Sequence, residues 1–268
     1  GSEMCIRDSF GSVFGTPWAG GIFAVELPVR GRWQIGMLVP CWISAWVGHG
    51  ICHAWGVAHT DYRVLGLTHE GLWGISWNTM AMAAFAALAF GLCGRCFVWL
   101  SHRTPSAFTR LCPQALWRPF FGGLLVIALV FALGSADYLG LGVTSQRAGG
   151  VSIMSCFTMG GADSWSWLWK MLFTIITLAS GFKGGEVTPL FFIGAALGNA
   201  AAVITGQPVE LFAGLGMIAV FAAAANTPLA CAVLGMELFG PHYAILFAMV
   251  CLVSYGVGGR GGIYHAEK

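Results

Sequence analysis

The sequence predicts an all-α polytopic membrane protein in which several helices are short, tilted or broken. Hydrophobic residues make up 57% of the 268-residue chain, charged residues only 9%, and the mean hydropathy is +0.76. This composition is typical of a membrane-embedded bundle. Glycines beside prolines interrupt the apolar runs, which indicates irregular backbone within the bundle. The formal net charge of only +2, without a basic cluster interleaved with aromatics, argues against a nucleic-acid partner.

The first nine residues, GSEMCIRDS, differ from everything that follows. They are polar and lack the apolar core of a signal peptide. We expect residues 1–9 to be a non-native or disordered leader. A short apolar piece starts at Phe10, and the pair Thr16-Pro17 then predicts the start of a helix that ends at Glu26.

The later apolar runs predict further helices or spans. They cover residues 35–55, 73–100, 120–133, 165–180, 211–223 and 241–257. Residues 61–70 form a predicted polar loop, 101–119 a Pro-containing connector with Arg103, Arg110 and Arg118, and 136–164 a Gly/Ser-rich connector with room for a short helix. By the positive-inside rule, Arg30, Arg32 and the arginines from Arg95 to Arg118 face the cytoplasm.

The chain contains an internal repeat. Thr16-Pro17-x-Ala19, followed by Glu26-Leu27, reappears 211 residues later as Thr227-Pro228-x-Ala230, followed by Glu237-Leu238. Weak internal symmetry combined with short, Gly/Pro-interrupted helices is typical of inverted-repeat transporters. Glu26 and Glu237 close the two repeated helices, and we interpret them as paired structural charges at helix ends.

Residues 181–199, GFKGGEVTPLFFIGAALGN, organise the rest of the chain. Adjacent glycines and Pro189 begin a helix whose first backbone N–H groups have no intrahelical partner. The helix dipole adds a partial positive charge at this end, so the segment is suited to bind an anion. We expect Gly185, Glu186, Val187 and Thr188 to form the anion-binding site, with the N–H groups of Val187 and Thr188 as the strongest ligands.

Residues 184–199 also resemble a known family. GGEVTPLFFIGAALGN is similar to the third anion-selectivity segment of the CLC chloride-channel and transporter family, and its Glu-Val-Thr variant resembles the bacterial fluoride/proton-antiporter branch. The usual CLC pattern is Gly-Gly-x-Phe-x-Pro, so Val187 in place of phenylalanine is a departure at the level of the branch. The resemblance implies a CLC-type inverted-repeat fold, a homodimer and a multi-pass location in the bacterial cytoplasmic membrane. Because it begins abruptly at Phe10, in the middle of the expected fold, it also implies that residues 10–268 are the C-terminal part of a CLC-type transmembrane domain.

The resemblance implies transport of a small anion, most plainly fluoride export by fluoride/proton antiport. A chloride channel or chloride/proton antiporter is the alternative within the family. A third alternative is an inert truncated fragment, because the gating-glutamate motif Gly-Arg-Glu-Gly is absent from these residues. Many CLC antiporters carry an inner proton-transfer glutamate where this chain has Leu27, and the fluoride branch tends to lack that residue.

Three side chains keep two interpretations each. Glu186 is a proton-pathway candidate, as the resemblance implies, or a simple charge at a helix start. Thr188 donates to the anion or acts as the N-cap of its helix. Tyr264, in Gly262-Ile-Tyr264, is similar to a tyrosine on the closing CLC helix whose hydroxyl reaches the central anion; the alternative is an interfacial anchor.

The sequence offers little support for other functions. The nine cysteines lie mostly in apolar runs, and Cys93-Gly-Arg-Cys96 has no second pair to complete a zinc site. His49 and His53 lie four residues apart without the glutamate of a metalloprotease helix. We therefore expect no metal, no cofactor and no enzymatic activity.

Overall fold

A computed structural model gives the fold. It describes residues 10–27, 35–57, 76–145, 147, 149–259 and 261–264. Over these ranges the chain forms α-helices, short 3-10 turns and loops, without a strand, which confirms the predicted all-α class. The predicted leader 1–9, the arginines Arg30 and Arg32, and the predicted loop 61–70 lie outside the described residues.

The helices are mostly short. In chain order they are α1 (10–14), α2 (Pro17–Glu26), α3 (Leu38–Ala54), α4 (Trp77–Leu111), α5 (Trp117–Leu133), α6 (Ser166–Ala179), α7 (Val187–Thr205), α8 (Val209–Ala225), α9 (Pro228–Phe239) and α10 (Ala244–Gly258). Three helical stretches in the described part of the chain are long and apolar enough to cross a membrane: α4, α7 and Pro241–Gly258. The predicted membrane bundle is thus confirmed at the level of fold.

One predicted connector is wrong. Arg103 and Arg110 lie on α4, which continues to Leu111 instead of ending near residue 100. Pro105 removes only one donor from the helix ladder, and threonine hydroxyls bond backbone carbonyls on either side of it. Thr104 donates to the Leu100 carbonyl at 2.7 Å and Thr109 to the Pro105 carbonyl at 2.8 Å. Prolines are tolerated in membrane helices when such side chains support the backbone.

The core lies where α7 crosses α8, and glycine makes this crossing possible. Nearly every residue of α8 is buried. A methyl group on Gly194 would overlap the Gly216 carbonyl, and one on Gly198 would overlap the Phe212 carbonyl. Small residues that let helix backbones approach closely are the usual interface in membrane bundles. The GxxxG spacing of Gly194 and Gly198 therefore fixes the position of α7 against the core.

The internal repeat appears as an antiparallel pair, α2 and α9. Thr16 and Thr227 precede the two helices with nearly the same backbone angles, φ −123° and ψ 73° against φ −127° and ψ 64°. The carboxylate of Glu237, near the end of α9, accepts the N–H groups of Trp18 and Ala19 at 3.1 and 2.7 Å. The start of α2 therefore lies beside the end of α9.

The opposite end of the pair repeats this arrangement. Glu26 accepts the N–H groups of Leu229 and Ala230, at the start of α9, at 3.1 and 2.8 Å. Each repeated helix therefore receives at its N-terminus the carboxylate that closes the other. Glu26 and Glu237 are structural charges, as interpreted from the sequence, but each carboxylate caps the start of the other helix.

The connector between α5 and α6 is tied to the bundle by two buried polar side chains. Lys170 on α6 is 1% exposed; its ammonium donates to the carbonyls of Tyr138 and Gly140 at 3.1 and 2.7 Å. Asn199 on α7, also 1% exposed, donates to the carbonyls of Cys156 and Thr158 at 2.7 and 3.0 Å. These bonds hold the connector, including a 3-10 turn at Ser155–Phe157, against α6 and α7.

Candidate functional site

The start of α7 presents two open backbone donors. Glu186 occupies the N-cap position, and the first helical hydrogen bond runs from the Leu190 N–H to the Glu186 carbonyl at 3.1 Å. Val187 and Thr188 precede Leu190, so their N–H groups have no intrahelical acceptor, and Pro189 has no N–H to offer. These two donors lie where the helix dipole is positive, which is the arrangement that binds anions at helix N-termini.

The side chains around these donors are partly accessible. Gly184 and Gly185 are exposed, whereas Glu186, Val187 and Thr188 are half-buried. The Glu186 side chain makes no capping hydrogen bond to its own helix. The interpretation of Thr188 as the N-cap is wrong, because Glu186 holds that position and Thr188 is the second residue of the helix.

The structure places Tyr264 in the same region through its short segment 261–264. The Ile263 N–H donates to the Ala224 carbonyl at 2.9 Å, and the Asn226 amide donates to the Gly261 carbonyl at 3.0 Å. Asn226 itself has φ 58°, a left-handed conformation that ends α8. Tyr264 is thereby held next to the end of α8, the helix against which α7 packs.

A phenylalanine cluster behind the site was not predicted from the sequence. Phe10 stacks on Phe23 with ring centroids 4.6 Å apart, and Phe191 contacts Phe221 edge to face at 5.2 Å. The Tyr264 ring meets Phe23 at 6.2 Å and an interplanar angle of 80°. The five rings lie on α1, α2, α7, α8 and the closing segment, so their proximity depends on the tertiary fold.

A small cavity of about 210 Å³ borders the start of α7. Its walls include Gly184, Gly185 and Pro189 on one side and Gly140 of the tethered connector on another. The Lys170 ammonium bonds the Gly140 carbonyl and lies 5.1 Å from the Phe192 ring centroid. The start of α7 thus lies at the cavity, and the Lys170 ammonium is bonded to one residue of the cavity wall; both charges favour an anion over a cation.

The cysteine and histidine patterns form no metal centre in the described ranges. Eight cysteines in those ranges are free, and five of them are buried. His49 and His53 lie on α3, and the residues described contain no group of three or more His, Cys, Asp or Glu side chains that could hold a metal ion.

Known proteins resemble this chain in sequence and in fold over most of its length. The family model described as voltage gated chloride channel matches residues 9–259. A "Chloride/fluoride channel protein" from Pseudomonas syringae pv. tomato is 46% identical over 269 residues, which cover 98% of this chain and 57% of that protein. The chain therefore spans somewhat more than half of the length of this relative.

Two solved structures share the fold. A CLC-type fluoride/proton antiporter crystal structure is 31% identical with a TM-score of 0.85, over 95% of this chain and 62% of the antiporter. A slow cyanobacterial Cl⁻/H⁺ antiporter aligns with a TM-score of 0.67 over 95% of this chain and 61% of that structure. At 21% identity, the second match carries information about the fold alone.

Proposed function

The chain belongs to the voltage-gated chloride channel family, and we propose that the full-length protein exports fluoride by fluoride/proton antiport. The observation that carries this proposal is the pair of open N–H donors at Val187 and Thr188, with the side chain of Glu186 next to them in the chain. The 46% identity to a chloride/fluoride channel protein and the likeness to a fluoride/proton antiporter support fluoride as the anion. We propose no enzymatic activity, cofactor or metal.

In this proposal the anion is held mainly by backbone. The N–H groups of Val187 and Thr188 donate to it, Gly185 lets it approach closely, and the Tyr264 hydroxyl is a further donor. Backbone donors at a helix start need little reorganisation, so they hold a small, strongly hydrated anion without a charged side chain. Chloride transport by the same donors is the competing function.

Glu186 is the proposed proton carrier. Its carboxyl group lies beside the anion donors, makes no capping bond to its own helix and is half-buried. Ionisable groups inside membrane proteins mark ion and proton pathways more often than structural charges. Glu26 and Glu237 are less suited to this role, because both carboxylates already accept two backbone hydrogen bonds each.

The test is transport by the full-length protein in lipid vesicles, followed with fluoride-selective, chloride-selective and pH electrodes. Fluoride should leave far faster than chloride, and a fluoride gradient should drive protons. Glu186→Gln should abolish the proton movement, whereas the control Asp163→Asn, at an exposed carboxylate of the connector, should not. Equal fluoride and chloride rates would favour the chloride alternative, and no flux of either would favour an inert protein.

We further propose that the protein is a homodimer in the bacterial cytoplasmic membrane. Val39, Ile43 and Val47 lie four residues apart on one face of α3 and are at least 55% exposed. Leu229 is exposed on α9, which packs on α2 as α3 does. With the exposed Cys96 replaced by serine, a cysteine at Ile43 should cross-link two copies in membranes. A control cysteine at Ala107 should not; the reverse pattern would contradict this interface.

A further inference from the structure

The C-terminal part of α4 extends beyond the length that a bilayer requires. The helix has 35 residues, which corresponds to about 52 Å at the usual rise per residue. About 20 residues cross a hydrocarbon core of about 30 Å. The helix carries no charged residue from Trp77 to Gly94, and Arg95 is the first charge on it. The turns after Arg95 therefore lie at the headgroup region or beyond it.

One face of this extension is basic and aromatic. At 100° per residue, Trp99, His102, Arg103, Ser106 and Arg110 project from the same side of α4. All five are exposed, and they border a groove of about 780 Å³. The Arg103 guanidinium lies 5.4 Å from the Trp99 ring centroid, a cation–π contact that holds the side chain over the groove.

The part of the chain that the structure describes supplies no acidic partner for this face. From Ser76 to Ala136 the sequence contains no aspartate or glutamate. The Arg118 side chain is bound to the loop between α4 and α5, since it donates to the carbonyls of Cys112 and Pro113 at 2.9 and 3.0 Å. Arg103 and Arg110, in contrast, contact no carboxylate within the described ranges.

A group of aromatic side chains that follows the groove in the chain indicates how deep the groove lies in the membrane. Trp117, Phe120 and Phe121 begin α5, directly after the end of α4, and are 47%, 59% and 50% exposed. Their ring centroids lie 5.5 to 6.3 Å apart. Exposed aromatic rings of this kind concentrate at the membrane–water interface. The groove on α4 is therefore at the level of lipid headgroups.

We propose that this groove binds the headgroup of an anionic phospholipid. Arg103 and Arg110 donate to the phosphate, and Trp99 packs at the boundary between headgroup and acyl chain. Guanidinium groups recognise phosphate oxygens through paired N–H donors, and basic pockets on the cytoplasmic side of membrane helices bind anionic headgroups. The arginine distribution predicts that this end of α4 faces the cytoplasm. The site does not depend on which anion the protein transports.

Native mass spectrometry of the full-length protein in detergent tests the proposal, with phosphatidylglycerol or phosphatidylcholine added in graded amounts. Each basic side chain near an anionic surface strengthens binding by about fivefold. Arg103→Gln combined with Arg110→Gln should thus weaken phosphatidylglycerol binding by about 25-fold and leave phosphatidylcholine binding unchanged. Arg147→Gln, which removes the same charge from an exposed loop position, should have no effect.

Two further variants keep the result interpretable. Arg103→Lys retains the charge and should keep most of the affinity, and Arg110→Gln alone should lose about fivefold, so a folding defect of the double variant would not decide the outcome. The proposal is overturned if the double variant binds phosphatidylglycerol within twofold of the parent, or if Arg147→Gln weakens it equally. Displacement of phosphatidylglycerol by millimolar inorganic phosphate would identify a soluble-anion site and also overturn it.

Discussion

The reciprocal caps between α2 and α9 can be tested by removing one charge at a time. Glu26→Gln and Glu237→Gln preserve side-chain shape and one acceptor oxygen. Each variant nevertheless replaces the second oxygen with an amide group that faces a backbone N–H, so one of two hydrogen bonds is lost. Glu26 bonds the start of α9 at 3.1 and 2.8 Å, and Glu237 bonds the start of α2 at 3.1 and 2.7 Å. The two losses should therefore be nearly equal.

The magnitude follows from the bonds and the helix charge. A hydrogen bond to a charged group contributes about 1.5–3 kcal/mol, and a carboxylate at a helix N-terminus about 0.3–1 kcal/mol more. Each variant should thus reduce the free energy of unfolding by about 2–4 kcal/mol. The two caps lie at opposite ends of the ten-residue α2, about 15 Å apart. At that separation the effects should add in the double variant.

Unfolding of the full-length protein in mixed micelles, titrated with SDS and followed by far-UV circular dichroism, measures this loss. Asp163→Asn is the matched control, because it removes a carboxylate charge from an exposed position of the connector. The interpretation of Glu26 and Glu237 as reciprocal caps would be refuted if their variants unfolded with the control. A large loss for one glutamate and none for the other would contradict the symmetry between the repeats.

Three further predictions concern packing and the site. Gly198→Ala should destabilise the fold by about 1–3 kcal/mol through overpacking against the Phe212 carbonyl, whereas Gly123→Ala, with only ordinary contacts, should be neutral or slightly stabilising in the same SDS titration. Lys170→Met should cost about 2–5 kcal/mol, because it leaves the Tyr138 and Gly140 carbonyls without their donor; an unchanged titration would show that the tether is dispensable. Tyr264→Phe should weaken fluoride binding in calorimetry by about 0.5–1.5 kcal/mol with dimerisation retained, and unchanged binding would leave Tyr264 as an interfacial anchor.

The sequence predicted the repeated helices well because their signals are local. A proline at the first helical position and a threonine before it define the starts of α2 and α9, and both helices begin at the predicted proline. The start of α7 was predicted for the same reason, since its glycines and Pro189 determine which N–H groups remain open. In contrast, Pro105 gave a misleading local signal. A proline usually indicates the end of a helix, but α4 continues through it, and the threonine bonds on either side could not be recognised from the sequence.

Contacts between distant segments could not be predicted in the same way. The Lys170 ammonium bonds carbonyls about 30 residues earlier in the chain, and the Asn199 amide bonds carbonyls more than 40 residues earlier. No residue type marks a carbonyl acceptor in the sequence, because every residue carries a backbone carbonyl. Lys170 falls within the predicted helix 165–180, but its burial and its partners depend on how the connector folds back over α6.

The position of α2 links the repeat to the candidate site. Its two ends are held by the reciprocal carboxylates, and its middle carries Phe23, which contacts Phe10, Phe221 and Tyr264. Because a helix of ten residues moves as a rigid unit, a change in its crossing against α9 would move Phe23 and with it the wall against which Tyr264 packs. The pairing of the two repeats therefore positions one wall of the closing segment, in addition to the hydrogen bonds with Ala224 and Asn226 that hold it.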